Sequence, residues 1–313
     1  SETNYNINRI ALYTQTLSQF FSNSLSVLLS VRYDAWNFSD IYDLESGDKS
    51  PKEIDKETFT FRGGVKYFVN DDFQLKANFG TAFFPGSNVW LFQNISTGTL
   101  WREANPNLKP EKTRMADLGF DYLLQNHSLK LSAVLYYGKI IDAINYIFDQ
   151  HPTISNVRIG RTETSDQVDI RGIELSANYD VNDKLLFISN VTFNRSKIVK
   201  SKKNAGNQLR NSPDYFGSFG FIYTDIQLVN VRLFGRFSDD RYFNDENTKL
   251  DYYHMKPYLV FDGKIWKDFK FWGGNFTAAR GVDNIFDKIY DAEFPWQAPG
   301  RYMEFSLKYF YSL

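Results

Sequence analysis

The residues able to do acid–base, metal or nucleophilic chemistry are few and scattered. There is no cysteine, and the three histidines, His127, His151 and His254, share no spacing that sets two of them on one face of a helix or strand. Disulfides and thiolate chemistry are excluded, and no metal site is expected. Ser155 follows His151 by four residues, but nothing nearby orients a base toward its hydroxyl. Asp117, Glu174 and Asp262 could form an acid pair, yet each occupies a polar position of an alternating stretch, which explains it without catalysis. No enzymatic activity and no cofactor are expected. Binding chemistry is better represented. The segment "NVWLFQNISTGTLW" at 88–101 gathers Trp90, Leu91, Phe92 and Trp101, while Tyr252, Tyr253, His254 and Trp296 lie in other connecting segments. Such a group either meets a ligand or packs on itself, and the sequence leaves both readings open. The basic run "SKIVKSKKNAGNQLR" at 196–210 attracts anions or is an ordinary solvated loop.

The elements that would hold these groups are strands. The chain has 313 residues and a net charge of −1, so no global basic field argues for nucleic acid. It carries 29 Phe, 20 Tyr and 6 Trp, yet its mean hydropathy is −0.43. An aromatic but polar chain suits a structure with one apolar face and one wet face. No run of 18 apolar residues is present, so no transmembrane helix is expected. Ser1 opens into polar residues with no secretory signal, so the N-terminal region of the protein is expected to have been removed or to lie elsewhere.

Period-two alternation recurs along the chain. In "NPNLKPEKTRMADLGFDYLL" (105–124), Ala116, Leu118, Phe120, Tyr122 and Leu124 fall on one parity, with Asp117, Gly119 and Asp121 on the other. The same pattern marks 25–33, 73–79, 129–137, 173–179 and 229–237. Thirteen strands are predicted, starting near Ile10, Leu25, Thr58, Phe73, Arg114, Leu129, Asp169, Leu185, Tyr215, Val229, Tyr258, Asn275 and Arg301. Tight connections at 22–24, 70–72, 125–127, 181–183, 224–227 and 267–270 alternate with long ones at 38–56, 84–110, 148–168, 197–212, 242–255 and 288–299. A soluble sandwich has no reason to sort its connections so regularly. An up-and-down transmembrane barrel does, with periplasmic turns and extracellular loops. The oily rows then face lipid and the aspartates face the interior. At 275–286, Arg280 shares a parity with Phe276, Ala278 and Val282, so either it faces lipid or a bulge at Gly273, Gly274 or Gly281 resets the phase.

These stretches resemble the TonB-dependent outer-membrane receptors. "NPNLKPEKTRMADLGFDY" is similar to that family's N-P-x-L-K-P-E loop and following strand. "DIRGIELSANYDVNDKLLFISNVTFNRSKI" is similar to its R-G-x-E hairpin. "VDNIFDKIYDAEFPWQAPGRYMEFSLKYFY" resembles its N-x-F-D, P-G-R and final strand, and "RIALYTQTLSQFFSNSLSVLLSVRYDAWNF" resembles its early A-x-Y-x-Q and G-x-R-Y-D region. The matches run in family order over nearly the whole chain. Departures are Ser30-Val31, where glycine is common, and Leu313, where the last residue is usually Phe.

The resemblance implies an all-β, antiparallel transmembrane barrel of about 22 strands. Residues 1–313 would be its C-terminal portion, with thirteen strands, and the plug and the energy-coupling box would precede them. It implies import of a metal chelate, a ferric siderophore above all, across the outer membrane of a Gram-negative bacterium. The partners would be the TonB complex and membrane lipid. Loop aromatics and Arg102 would capture the chelate together with Trp90, Phe92, Trp101, Tyr252, Tyr253, His254 and Trp296. Cobalamin or oligosaccharide import and a passive porin are the alternatives. The family motifs read first as structure. Gly119 and Gly172 relieve crowding by interior side chains, and Asn284 and Asp287 cap the loop after a strand.

Overall fold

The computed structural model describes residues 3–43, 48–49, 54–97, 100–124, 128–150, 158–201, 203–225, 227–244, 247, 254–271, 273–293 and 296–310. Thirteen long strands form one antiparallel sheet in chain order, each hydrogen-bonded to its sequence neighbours. They are β1 (Thr3–Phe20), β2 (Leu25–Asp43), β3 (Ile54–Phe68), β4 (Phe73–Phe84), β5 (Glu111–Leu124), β6 (Leu129–Gln150) and β7 (Arg158–Asn182). There follow β8 (Leu185–Lys200), β9 (Tyr215–Tyr223), β10 (Asn230–Ser238), β11 (Tyr258–Phe271), β12 (Gly274–Asp283) and β13 (Tyr302–Phe310). The expected number and order of strands hold. The first and last strands do not pair with each other, so the sheet is an open wall.

Two connections are shorter than the sequence predicts. The segment 148–168 is mostly strand, because β6 runs on to Gln150 and β7 starts at Arg158. Likewise β2 runs to Asp43 and β3 begins at Ile54, inside the predicted 38–56 loop. A strand needs only about 9–11 residues to cross a bilayer, so these hairpins continue pairing above it. There lipid no longer enforces alternation. A register shift around Asp166, opposite Ala143, also breaks the phase.

The register aligns the oily positions into rows. Directly paired residues point to the same face, and one such row runs Phe20, Leu25, Tyr67, Leu75, Phe120, Ala133, Leu175, Val191, Gly217, Phe237 and Leu259 across eleven adjacent strands. This face is bare: Leu118 is 58% exposed and Phe305 75%. In water such a surface would aggregate, whereas in lipid it is the apolar belt of a barrel.

The opposite face is polar and cross-linked between strands. Asp121 accepts hydrogen bonds from Lys76 Nζ (2.8 Å) and from Gln74 and Ser132 (2.5 Å each), and Asp117 accepts from Asn78 (2.8 Å). Arg236 pairs with Asp262 at 2.7 Å. A Cβ at Gly172 would collide with the Phe193 carbonyl and the Tyr136 hydroxyl, and one at Gly119 would lie 2.6 Å from the Ala133 carbonyl. The two glycines therefore admit interior side chains and neighbouring backbone, as the motif reading expected.

No bulge interrupts β12. Its pairing with β11 and β13 is continuous, so Arg280 stands on the lipid-facing row opposite Ile265 and Phe305. Its guanidinium reaches the Met303 sulfur at 3.7 Å, and Met303 pairs with Val282, nearer the loop edge. The side chain thus carries its charge toward the interface, which lowers the cost from the midplane value of about 2–4 kcal/mol.

At the tight-turn edge, Asp225 closes the β9–β10 connection. It accepts from Lys184 Nζ (2.7 Å), Tyr223 OH (3.0 Å) and the amides of Gln227 (2.8 Å) and Leu228 (3.1 Å). The hydrogen bond from Lys184, then those amides, hold its carboxyl well below the usual carboxylate range.

Candidate functional site

All the long connections leave the other edge of the wall, and the 85–110 connection between β4 and β5 folds inward over β1 and β2. Its one-turn helix α1 (Asn88–Phe92) buries Leu91 and Phe92 against Trp36 and Phe38 of β2 and Leu108 of the same loop. Tyr5, Ile41, Ile54, Phe83 and Trp90 pack around that cluster. The Phe92 ring lies 5.3 Å from Phe38 and 5.5 Å from Tyr5, and Trp90 meets Phe84 edge-on at 6.0 Å. Polar ties fix the fold-back. Asn88 Nδ2 donates to the Tyr5 hydroxyl (2.6 Å), the Asn105 amide donates to the Trp90 carbonyl (2.8 Å), and the buried Lys56 Nζ donates to the Leu108 carbonyl (2.8 Å).

The Asn-Pro-Asn-Leu-Lys-Pro run is the clamp of this loop. Asn105 Oδ1 accepts from the Asn107 amide (3.1 Å), its Nδ2 donates to the Thr162 carbonyl (2.8 Å), and the Lys109 amide donates to Thr164 Oγ1 (3.3 Å). Both threonines belong to the part of β7 that rises above the belt. A short ribbon, Leu100–Glu103, also runs parallel to the start of β7, with Trp101 opposite Ile159 and Arg102 opposite Gly160. Trp101 is 42% exposed. Arg102 differs from the other cations of the loop. Its Nε and Nη2 are buried and find no hydrogen-bond partner among the described residues. A guanidinium so placed is costly unless an anion or other acceptor meets it.

The remaining predicted residues lie farther along the wall. His254 Nε2 meets Asp240 at 2.6 Å and its ring stacks on Tyr242 with centroids 5.3 Å apart. Arg241 reaches the carbonyls of Asp291 (2.7 Å) and Ala292 (3.2 Å), which joins the β10–β11 connection to the β12–β13 connection. Trp296, on the latter, is 71% exposed. Tyr252, Tyr253, His127, His151 and Ser155 fall outside the described residues. The closing motif acts as expected. Asn284 (φ 51°) bonds both ways with Lys288, at 2.8 Å each, and Asp287 Oδ1 accepts from the Arg301 amide at 2.7 Å. A Cβ at Gly300 would sit 2.8 Å from that same Asp287 oxygen, so the two halves of the motif fit together.

Of the residues expected from sequence, Trp90, Phe92, Trp101 and Arg102 share this one loop, and what that loop rests on was missed. Trp36 and Phe38 were the available signal. They are large apolar residues on the parity that is otherwise polar at the loop end of β2, which marks a place where something packs from inside.

Comparison with known proteins agrees with this geometry. The model for the β-barrel of TonB dependent receptor-like proteins matches residues 1–285. The ferrichrome outer membrane transporter/phage receptor of Escherichia coli (strain K12) is 23% identical over 286 residues, covering 90% of this chain and 34% of that protein. Among solved structures, the unliganded ferric citrate transporter FecA superposes with a TM-score of 0.75 at 18% identity, over 98% of this chain and 46% of that one. The ferric preacinetobactin receptor BauA of Acinetobacter baumannii gives 0.73 at 17%, over 98% and 44%. The copper transporter OprC gives 0.76 at 18%, over 97% and 50%. The chain thus spans about a third of the curated relative it matches and half or less of these structures. With its alternating connections, its lipid-facing rows and its matched motifs, the chain belongs to the TonB-dependent receptor β-barrel family and is an outer-membrane protein of the Gram-negative type.

Proposed function

We propose that this wall is part of a receptor that imports a ferric chelate, a ferric siderophore above all, and that the TonB complex energises it. The observation that carries the reading is Arg102. It is a half-buried guanidinium, unmet by any acceptor among the described residues, on a ribbon beside exposed Trp101 at the loop edge of a TonB-dependent receptor barrel. Many chelates of ferric iron carry negative charge, which a guanidinium meets, and apolar or aromatic arms, which an indole face meets. The relatives named for ferrichrome, ferric citrate and ferric preacinetobactin support the same class.

In this reading the thirteen strands are the C-terminal part of a wall of about 22, and force applied through the plug opens the path past the loops. No catalytic step is assigned to any residue. Tyr252, Tyr253, His254 and Trp296 would line the far side of the vestibule. The test is binding of a panel of ferric hydroxamate, catecholate and citrate chelates, with cobalamin as the control, to the full-length protein. Growth promotion under iron limitation is scored alongside. Saturable binding of one ferric class is expected. Binding of cobalamin alone, or passive and unsaturable flux, overturns the reading.

A further inference from the structure

The loop that follows β12 has two unlike sides. Its polar groups bond inward or along the turn. The Asn284 amide donates to Asp262 Oδ1, on the inner face of β11, at 2.9 Å. Tyr290 turns back onto Tyr258, with ring centroids 4.5 Å apart. Its apolar side chains lie on the lipid side. The Ile285 amide donates to the Phe261 carbonyl at 2.7 Å, and the Phe286 ring meets the Phe261 ring edge-on at 5.6 Å. Ile285 itself rests over Gly263, where an added Cβ would lie 3.2 Å from its Cδ1. Phe261 and Gly263 share the outward parity of Leu259 and Ile265. Phe286 is 72% exposed and Ile289, on the same turn, 77%.

The backbone holds that arrangement. Asn284 and Asp287 both stand in the left-handed region, at φ 51° and 55°, which their short polar side chains tolerate. The reciprocal bonds of Asn284 with Lys288, and the bond from the Arg301 amide to Asp287, then leave the turn little freedom to rotate. In water, large apolar side chains fixed outward would be unfavourable. Phe286 is also the last rung of a ladder of rings on the lipid face. The ladder runs Tyr215, Phe237, Phe219, Phe261 and Phe286, with successive centroids 6.4, 6.3, 6.1 and 5.6 Å apart. Phe261 stands ten residues up β11 from Phe271 at the tight-turn edge. That is about 34 Å of strand and, at a tilt of about 45°, about 24 Å of height, within a belt roughly 25 Å tall.

The apolar side of the loop is thus continuous with the belt, and that continuity names its occupant. We propose that Ile285, Phe286 and Ile289 are a membrane anchor, which enters the acyl region of the outer leaflet and fixes the β12–β13 connection at the border of the bilayer. The occupant is lipid hydrocarbon, so the contact depends on apolar area and not on a particular headgroup. The N-x-F-D motif then acts as a whole. Its asparagine and aspartate set the turn, and its phenylalanine holds the turn to the membrane. Fixing the base of this connection also steadies Asp291 and Ala292, whose carbonyls Arg241 grips, and through them the β10–β11 connection.

The test uses the full-length protein in vesicles of dioleoylphosphatidylcholine. The variants F286C and I289C carry a small fluorophore, with L118C as the belt reference and K288C, exposed on the same turn, as the water reference. Emission at 286 and 289 should be lost to acyl-chain-brominated phosphatidylcholine nearly as fully as at 118. Aqueous iodide should quench 288 and spare them. The unsubstituted protein gives a second reading. In vesicles containing a phosphatidylcholine with a photoreactive acyl chain, cross-links should fall on residues 285–289 as well as on the belt strands. Quenching of 286 and 289 by iodide, or cross-links on the belt strands alone, places the turn in water and overturns the anchor. Protection from both quenchers gives this face to protein, a second copy or another part of the chain, and overturns it too.

Discussion

The lipid belt and the 85–110 loop use the same side chains to opposite ends. In the belt, Phe305, Leu118 and Leu175 stand on a face with nothing of the protein over it. In the loop, Leu91, Phe92 and Leu108 turn away from the surface and close over Trp36 and Phe38. The difference is the neighbouring solvent. Where lipid lies outside, an apolar row costs nothing to expose and polarity is driven inward. Where water lies outside, the same residues bury themselves. The burial of a hydrophobic residue here therefore reports its height along the barrel as much as its chemistry.

The largest expected effect tests the belt. Leu175 on β7 pairs with Ala133 and Val191 in the middle of the apolar rows, while Glu174 pairs with Val134 and Thr192 on the inner face. Leu175→Arg should lower barrel stability by about 2–4 kcal/mol in denaturant unfolding from lipid vesicles, and Glu174→Gln by much less. If Glu174→Gln is the more damaging, the facing is reversed and the lipid belt lies on the other side of the wall.

The next effect tests packing between the two faces. Gly172→Ala places a methyl against the Phe193 carbonyl and the Tyr136 hydroxyl. A cost of about 1–3 kcal/mol is expected in the same assay. A neutral result would mean that β7 and β8 slide apart freely at that point.

A smaller effect separates the two roles of the loop. Phe92 is 5% exposed and Trp101 42%. Phe92→Ala should speed amide exchange over residues 88–108 and weaken chelate binding only through that loosening. Trp101→Ala should leave exchange unchanged and weaken binding by about fivefold, a modest hot-spot loss. The reverse pattern would place the ligand on the packed cluster and the structural role on the ribbon.

The strand count, the facing of each row and the sorting of connections were legible in the sequence because lipid imposes a strict binary pattern over many strands. The sequence leaves the facing of Arg280 open, because Gly273, Gly274 and Gly281 permit a bulge. Only the continuous pairing of β11, β12 and β13 decides it. The outer halves of β6 and β7 were illegible for a physical reason: above the membrane neither face has a fixed solvent, and the shift at Asp166 breaks the period. The loop aromatics were legible as a group from composition alone, but their separation into buried Phe92 and exposed Trp101 was not. That separation depends on Trp36, Phe38 and the parallel ribbon, which are remote in sequence.

The smallest expected effect sharpens the comparison most. Gln167 lies eight residues before Leu175 on β7 and shares its outward parity, in register with Ile141. It differs from Leu175 mainly in height: it stands above the outward Arg171, where the belt has ended, beside the shift in pairing with β8 between Gln167 and Val168. Gln167→Arg removes one weak contact to Asp169 Oδ1 (3.3 Å) and adds a cation to a border already rich in them. Both changes are screened by water and salt at that height. The variant should therefore unfold within about 0.5 kcal/mol of the parent, as exposed substitutions do. The same arginine eight residues below should cost several times more. If Gln167→Arg instead costs as much as Leu175→Arg, lipid reaches past Arg171. The border would then have to be raised by the height of two outward positions, and the outward cations Arg114, Lys139, Arg171 and Arg195 of β5 to β8 would lie within hydrocarbon rather than at its edge.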